Sequence, residues 1–144
     1  PVSSAPQNIV EAYIASALRP QIARAFPQLA AEGVIAEWWL HSRAHTAGHQ
    51  LHYDTDEQRL RRGQGVHCPA VSTVLYLEAG GGSPTIVADQ RFGEPLAQRG
   101  WVCEPKRGRL LMFDGSLLHG VLPAYTGAFV CYTVTAIALI HALS

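Results

Sequence analysis

Glycine and proline residues interrupt the chain at short intervals after Gly33, and this punctuation is the feature that most constrains the fold. The breaks fall at 47–48, 62–63, 80–84, 107–108, 114–115 and 123. The segments between them are apolar or alternating and rich in β-branched residues, which is typical of strands. The predicted strands are 34–42, 50–54, 71–77, 85–88, 100–104, 109–113, 121–122 and 129–137. Such spacing predicts a mainly β fold, an antiparallel sandwich or barrel.

The segment before Gly33 has helical rather than strand periodicity. Apolar residues from Ile9 to Leu18 recur three and four positions apart, which predicts a helix with Ser3 or Ser4 as its N-cap and Pro20 as its end. A second helix is expected from Pro20 to about residue 31, with a kink at Pro27. We therefore expect a single domain over 1–144, with supporting helices in 1–33 and a β core in 34–144.

Composition limits the function classes. Hydrophobic residues make up 48% of the 144 residues and charged residues 15%, which predicts a compact globule. Eleven basic residues balance eleven acidic ones, so neither nucleic-acid nor membrane-surface binding is expected, and a peptide or small molecule is the favoured partner. The apolar run at 128–143 is too short for a membrane span and is predicted to be buried strand. Cys68, Cys103 and Cys131 are odd in number and are expected to be thiols, favouring a reducing intracellular compartment.

The sequence around His52 predicts a metal site. In a strand over 50–54, side chains two residues apart share a face, so His52 and Asp54 would point the same way. His119, which follows a predicted strand and a turn, is the natural third ligand. Two imidazoles and one carboxylate form the facial triad of non-haem Fe(II) oxygenases, which leaves coordination positions open.

Two other interpretations of these residues remain. His52 and His119 could be structural histidines, with Asp54 capping the loop that follows. Alternatively, His41, His45, His49 and His52 have helical spacing and could bind zinc. Gly48 and the strand-like residues on either side argue against a helix there.

The ordered motifs resemble those of the 2-oxoglutarate/Fe(II)-dependent oxygenases, and their prolyl 4-hydroxylase-like branch most closely. The resemblance rests on the His-x-Asp pair, on Tyr76-Leu77 followed by Gly81-Gly82, on Pro-x-x-Gly-x-Leu-Leu-x-Phe at 105–113, and on Phe-x-x-x-x-x-His-Gly-Val-x-Pro at 113–123. These motifs lie within residues 35–137.

The resemblance implies a double-stranded β-helix (jelly-roll) core and a dioxygenase that uses Fe(II), 2-oxoglutarate and ascorbate. It would hydroxylate a peptide, protein or small-molecule substrate and release succinate and CO2. His52, Asp54 and His119 would be its metal-binding and catalytic residues. Tyr76 matches the position whose phenol binds the cosubstrate, and Val74 would line the same pocket. Residues 56–62 are a candidate lid facing the substrate.

The sequence departs from the family at one important position. A basic residue is expected on the strand after the distal histidine, to pair with the second carboxylate of 2-oxoglutarate, but Cys131 stands at that place, or Ala128 in another alignment. Three explanations remain open. In the first, another strand supplies the cation, and the candidates are then Arg43, Lys106 and Arg109. Alternatively, the chain is a metal-binding β-helix module that has lost the reaction, or residues are missing between Pro123 and Val130. A cupin-like enzyme would share the barrel, but the expected His-x-His and Glu spacing is not present.

Overall fold

The computed structural model describes residues 5–29, 34–44, 48–77, 83–123 and 130–140, and at 34–35, 41–44 and 130–140 it describes the backbone alone. The fold is mainly β, as the turn spacing predicts. The strands are β1 (Val34–Ala44), β2 (His49–His52), β3 (Val71–Tyr76), β4 (Thr85–Arg91), β5 (Gly100–Cys103), β6 (Leu110–Asp114), β7 (Leu117–Val121) and β8 (Val130–Ile140).

The strands form two four-stranded sheets with antiparallel pairing. The first sheet has the order β1-β8-β3-β6 and the second the order β2-β7-β4-β5. Neighbouring strands are therefore mostly distant in sequence. The long pair of β1 and β8 runs in unbroken register from Val34 opposite Ile140 to Ala44 opposite Val130.

The N-terminal helical segment differs from the prediction at both ends. It comprises α1 (Ile9–Tyr13), a π-helical turn (Ile14–Leu18) and α2 (Arg19–Ala25), so Pro20 does not end the helix. Pro20 falls in the first turn of α2, where its missing N–H breaks no hydrogen bond of that helix. The N-cap is Asn8, whose side chain accepts a hydrogen bond from the Glu11 N–H, so the prediction of Ser3 or Ser4 was wrong.

The second predicted helix is shorter than expected. α2 ends at Ala25 and a 3-10 turn (Pro27–Leu29) follows, and the steric clash with Pro27 disfavours the helical conformation at Phe26. Phe26 accordingly has φ −130° and ψ 74°. The predicted end near residue 31 lies outside the described residues.

Two strand boundaries near the predicted metal ligands also differ. β2 covers His49–His52, so Asp54 follows the strand instead of belonging to it. β7 begins at Leu117 and contains His119, whereas the prediction placed a strand only at 121–122. A further short helix, α3 (Glu57–Arg61), lies in the connection from β2 to β3, with Asp56 as its N-cap.

The helices cover one face of the first sheet. The buried core cluster consists of Ile14, Leu18, Ile22, Leu29 and Val71. Partly buried side chains of the sheet pack against it from alternate positions: Ala36, Trp38, Leu110 and Met112. These positions define the outer face of the first sheet.

The other face of the first sheet points toward the second sheet. Ser72 donates a hydrogen bond to Asp54, and the Tyr76 hydroxyl donates one to Thr85. The Phe113 ring lies 4.9 Å from the His119 ring. Because these residues alternate with the helix-facing ones, they define the inner face, on which polar side chains of both sheets meet.

Cys68 and Cys103 are free thiols, as predicted, and the side chain of Cys131 lies outside the described ones. The described helices are all too short or too polar to cross a membrane. The apolar run at 128–143 contains β8, in agreement with the predicted strand.

Candidate metal centre

The structure brings His52, Asp54 and His119 together, although they lie as much as 67 positions apart. His52 and His119 are direct cross-strand partners of β2 and β7, and their ring centroids lie 4.4 Å apart. Asp54 Oδ1 lies 3.6 Å from His52 Nε2, and Asp54 Oδ2 lies 3.5 Å from His119 Nε2. The potential ligand atoms of the three residues all lie within 4.8 Å of one another.

Backbone carbonyl groups select the tautomer of both histidines. His52 Nδ1 lies 2.9 Å from the Gln50 carbonyl oxygen, and His119 Nδ1 lies 2.9 Å from the Leu117 carbonyl oxygen. A carbonyl oxygen can only accept a hydrogen bond, so each Nδ1 carries the proton and donates it. Both Nε2 atoms point toward Asp54; a bound metal ion would take the lone pair of each Nε2 in place of the proton that Nε2 otherwise donates to the carboxylate.

Asp54 is held in its ionised form. Burial by itself would raise the pKa of this carboxyl group, but hydrogen bonds from His119 and His52, the charge of His119 and the Ser72 hydroxyl outweigh burial and lower the pKa well below its usual value. The Ser72 hydroxyl donates over 2.6 Å to Asp54 Oδ2. An ionised, oriented carboxylate is the form that binds a divalent cation.

The donor set fits a divalent transition metal. Ligand atoms at about 2.1 Å from a shared ion and at right angles to each other lie roughly 3 Å apart, and the two histidine–carboxylate distances are 3.5 and 3.6 Å. Small side-chain rotations would close that difference. Among the described residues, no further His, Cys, Asp or Glu joins the group. Three ligands on one side of an ion leave the opposite side open to other molecules.

A thiol lies near this group without belonging to it. Burial raises the pKa of Cys68, and the negative charges of Asp54 and Asp114 raise it further, while Arg91 acts in the opposite direction. Cys68 does not belong to the group of described residues whose ligand atoms converge. Cys68 is therefore not expected to complete the coordination sphere.

The predicted cosubstrate residues lie on β3. Tyr76 is 1% exposed, and its hydroxyl lies 2.6 Å from Thr85 Oγ1 and 3.3 Å from the Cys103 carbonyl oxygen. Val74 is half-buried on the same face. Val87 is the cross-strand partner of His119, and Thr85 lies two residues before Val87 on the same strand. Because the Tyr76 hydroxyl contacts Thr85, it lies on the inner side of the second sheet, beyond the candidate metal ligands.

The position of the expected cation lies on β8. Cys131 is the cross-strand partner of Arg43 on β1, while Ala128 lies outside the described residues. Lys106 and Arg109 are exposed, and the Arg109 guanidinium donates to the Glu104 carbonyl oxygen over 2.6 Å. The backbone of Arg109 lies opposite Tyr76, whose N–H donates to the Arg109 carbonyl oxygen over 3.0 Å, so Arg109 occupies an inner-face position of the register although its guanidinium group is exposed.

The histidine run does not form the helical zinc site. Residues 34–44 and 49–52 are strands, so the spacing of four residues does not stack these side chains. His41 belongs to β1, and His45 lies outside the described residues. The His49 and His52 rings lie 4.5 Å apart across an irregularity in the β2–β7 register.

Sequence reasoning missed two groups of residues around the site. Ser72 could have been found from the period of two that relates it to Val74 and Tyr76. The second group joins β4 to the turn between β6 and β7: Arg91 donates to Asp114 over 2.9 Å and also to Ser116, which in turn donates to Asp114. No local sequence signal predicts that contact, because Arg91 and Asp114 are 23 residues apart.

The fold is that of the prolyl 4-hydroxylases. The chain is similar to a Pseudomonas putida prolyl-4-hydroxylase, with a TM-score of 0.64 and 21% identity over 96% of this chain and 72% of that one. A prolyl hydroxylase from Trichoplax adhaerens, solved with a peptide fragment of a hypoxia inducible factor oxygen degradation domain, gives a TM-score of 0.61 and 17% identity over 90% of this chain and 56% of that one.

A prolyl 4-hydroxylase from Phytophthora capsici has a TM-score of 0.57 and 19% identity over 88% of this chain. The chain spans 40% of the length of that protein. No protein-family model matches the chain, and no curated protein sequence matches it. The resemblance to the prolyl 4-hydroxylase-like branch, which the sequence motifs predict, is thus confirmed at the level of the fold.

Proposed function

We propose that the chain is an Fe(II)- and 2-oxoglutarate-dependent dioxygenase that hydroxylates its substrate. The observation that carries the proposal is the group of His52, Asp54 and His119, with both Nε2 atoms directed at one ionised carboxylate. Its place in a fold shared with prolyl hydroxylases supports the same interpretation. In this proposal the two sheets form a double-stranded β-helix within one domain.

The residues of the site would divide the work between them. His52, Asp54 and His119 would hold Fe(II) on one side, which leaves room for a keto acid and O2 on the other. The bound ion would supply oxidising chemistry in which one oxygen atom of O2 enters a substrate C–H bond and the other enters succinate, with release of CO2. Ser72 would keep Asp54 oriented, and the Tyr76 hydroxyl would donate its proton to the keto acid beside Val74 instead of to Thr85 Oγ1.

A peptide is the favoured substrate. The Trichoplax adhaerens prolyl hydroxylase was solved with a peptide bound. In this chain α3 begins three residues after Asp54, and its N-cap Asp56 is anchored through its N–H to the His67 carbonyl oxygen over 2.8 Å. The segment 56–62 would then form one wall of the substrate entrance. A small-molecule substrate would use the same opening.

The test is turnover of 2-oxoglutarate. Purified protein with Fe(II), ascorbate and 2-oxoglutarate is expected to release succinate in the presence of a library of proline-containing peptides. His119→Ala should abolish release, because it removes one of the three ligands, while His67→Ala, a histidine on the exposed loop before β3, should not. Absence of succinate with every peptide and metabolite tried would contradict the proposal.

A second candidate function is a metal-binding module without catalysis. It is favoured by the absence of Lys and Arg after Arg109 in the sequence, since the second carboxylate of 2-oxoglutarate needs a cation if it is buried. Calorimetric titration distinguishes the two functions. Binding of Mn(II) without any binding of 2-oxoglutarate to the loaded protein would support the module and contradict the oxygenase.

A further inference from the structure

The β4–β5 hairpin (residues 85–103) carries four large apolar side chains that are exposed. Between 53% and 88% of the surface is exposed at Phe92, Leu96, Trp101 and Val102. Single exposed apolar side chains are ordinary on a folded protein, but several on one element mark an interaction surface. β5 is also an edge strand, since among the described strands it pairs with β4 alone.

The strand register places Trp101 on the same face as the candidate metal ligands. His119 is the cross-strand partner of both His52 and Val87. Val87 is in turn the partner of Trp101. Directly opposed residues of antiparallel strands belong to the same face, so the four residues form one row across β2, β7, β4 and β5. Trp101 is therefore level with the candidate metal centre, two strand spacings or about 10 Å from His119.

Val102 provides a comparison within the same strand. It is next to Trp101 and equally exposed, at 55% against 53%, but consecutive residues of a strand point to opposite faces. The inner face is the one that carries Val87, because Thr85 lies two residues before Val87 and contacts the Tyr76 hydroxyl of the first sheet. Trp101 is thus on the inner face of the second sheet, and Val102 is on its outer face.

Phe92 connects the hairpin to the candidate metal centre at a second point. Its ring is 65% exposed and stands edge-on to the Tyr53 ring, with 6.0 Å between the ring centroids and 89° between the planes. Tyr53 lies between His52 and Asp54 in the sequence. The end of the hairpin therefore lies beside the segment that carries two of the three candidate ligands.

The connection between β4 and β5 is held in one conformation by buried polar contacts. Gln90 is 8% exposed; its Nε2 donates to the Glu94 carbonyl oxygen over 2.9 Å, and its Oε1 accepts from the Ala97 N–H over 2.6 Å. The Asp89 carboxylate accepts from the N–H groups of residues 98 and 99, each over 3.0 Å. A surface that is preformed in this way loses little conformational entropy when it binds a partner.

The distance between the two aromatic side chains indicates the length of the partner. Phe92 follows Val87, the partner of Trp101, by five residues on β4. That separation is about 16 Å at the rise of a strand. An extended peptide of about five residues has this length, whereas a small metabolite does not.

We propose that the β4–β5 hairpin binds the substrate as an extended peptide, with Trp101 against an apolar side chain beside the reacting residue and Phe92 against a second apolar side chain about five residues away. This inference rests on the proposed function, which supplies the reaction, and it assigns the surface that would select the peptide. Aromatic side chains offer a large apolar contact area, and tryptophan is enriched among the residues that dominate binding energy.

Binding to the Mn(II)-loaded protein in the absence of turnover tests the surface. The probe is a fluorescein-labelled ten-residue peptide with one proline, leucine beside that proline and five positions beyond it, and serine elsewhere. The control peptide has serine in place of both leucines. In fluorescence anisotropy, the wild-type protein should bind the leucine peptide about 10-fold or more tightly than the serine peptide.

The two faces of β5 supply the matched variants. Trp101→Ala should weaken binding of the leucine peptide by about 10-fold or more, and Trp101→Phe should retain part of the affinity. Phe92→Ala should weaken binding as well, whereas Val102→Ala should bind as the wild type does. Mn(II) affinity and the urea midpoint should stay near the wild-type values in all four variants, because these side chains are exposed.

Footprinting of the wild-type protein gives a measurement that does not depend on the folding of a variant. The leucine peptide should protect Trp101 and Phe92 from hydroxyl-radical oxidation, as mapped by mass spectrometry, while Val102 keeps its rate of oxidation. Equal binding of the two peptides by the wild type, unchanged binding by Trp101→Ala, or protection of Val102 in place of Trp101 would overturn the proposal.

Further outcomes separate this proposal from other occupants and from the proposed function. Self-association of the wild-type protein that Trp101→Ala abolishes would assign the surface to a second copy of the chain and overturn the peptide proposal. Succinate release that does not distinguish the two peptides would overturn the docking surface and leave the oxygenase standing. Preferential binding of the leucine peptide without succinate release would contradict the oxygenase and support the docking surface.

Discussion

Ser72 donates a hydrogen bond of 2.6 Å to Asp54 across the space between the two sheets, from β3 to the segment that follows β2. Asp54 lies outside the strand that carries His52. Strand geometry therefore does not fix the orientation of the Asp54 carboxylate. The hydrogen bond from the Ser72 hydroxyl holds that carboxylate in place. A residue that orients a metal ligand in this way affects affinity for the metal without touching it.

We expect Ser72→Ala to weaken Mn(II) binding by about 10-fold or more, the usual effect of removing a partner that orients a ligand. Calorimetric titration measures the change. Ser16→Ala, which removes an exposed hydroxyl on the π-helical turn, is the matched control and should bind Mn(II) as the wild type does. Equal affinity of Ser72→Ala and wild type would show that Asp54 is oriented without Ser72.

Gly120→Ala is expected to disturb the metal centre through the backbone. A Cβ atom at Gly120 would lie 2.8 Å from the His49 carbonyl oxygen, so β2 and β7 would have to separate beside the His52–His119 pair. We expect a loss of about 1–3 kcal/mol in the free energy of unfolding and weaker Mn(II) binding.

The control for that variant is Gly100→Ala on the edge strand β5. There the added Cβ would lie 3.4 Å from the nearest heavy atom, the Val87 carbonyl oxygen. Urea denaturation should show a much smaller change for this variant. Similar losses for both variants would mean that the cost comes from the intrinsic preference of the backbone and not from the contact with β2.

Tyr76→Phe should affect both stability and cosubstrate binding. The variant leaves Thr85 Oγ1 and the Cys103 carbonyl oxygen without the hydroxyl that now donates to them, which costs about 1–3 kcal/mol for buried polar groups. If the proposed function is correct, the KM for 2-oxoglutarate rises while Mn(II) affinity is retained. Tyr13→Phe, on α1, is the control. An unchanged KM for 2-oxoglutarate would show that Tyr76 does not bind the cosubstrate.

The pair of Arg91 and Asp114 should make stability depend on pH in the acidic range. Burial would raise the pKa of Asp114, but the hydroxyl and N–H of Ser116 and the Arg91 guanidinium outweigh it and lower the pKa. A carboxyl group whose pKa is lowered by folding stabilises the protein above its ordinary pKa of about 3.9 and loses that contribution as the pH falls through the lowered value.

Asp114→Asn should therefore lose less stability than the wild type between pH 6 and pH 2.5, as measured by urea denaturation at each pH. Glu57→Gln removes one partner of an exposed ion pair with Arg61 and should follow the wild-type pH dependence, since such pairs contribute little. Parallel curves for Asp114→Asn and wild type would show that Arg91 and Ser116 do not stabilise the ionised form.

The sequence predicted a structural feature correctly wherever the cause of that feature lies in neighbouring residues. Glycine and proline punctuation predicts most of the strands, because these residues restrict or free the backbone at their own positions. The predicted helix end at Pro20 was wrong, because the first turn of a helix accommodates proline. The predicted N-cap at Ser3 or Ser4 was wrong, because Asn8 forms the cap with Glu11. The prediction also placed Asp54 inside β2, since nothing local indicates that the strand ends at His52.

By itself, the sequence determined the ligand types, their order and the alternation of faces along each strand, since a period of two is a property of the backbone. The tertiary structure decided which strands lie side by side and in which register. Those pairings bring His119 opposite His52, Ser72 to Asp54, and Arg43 level with Cys131. Register depends on burying the apolar face of every strand at once, so no single segment specifies it.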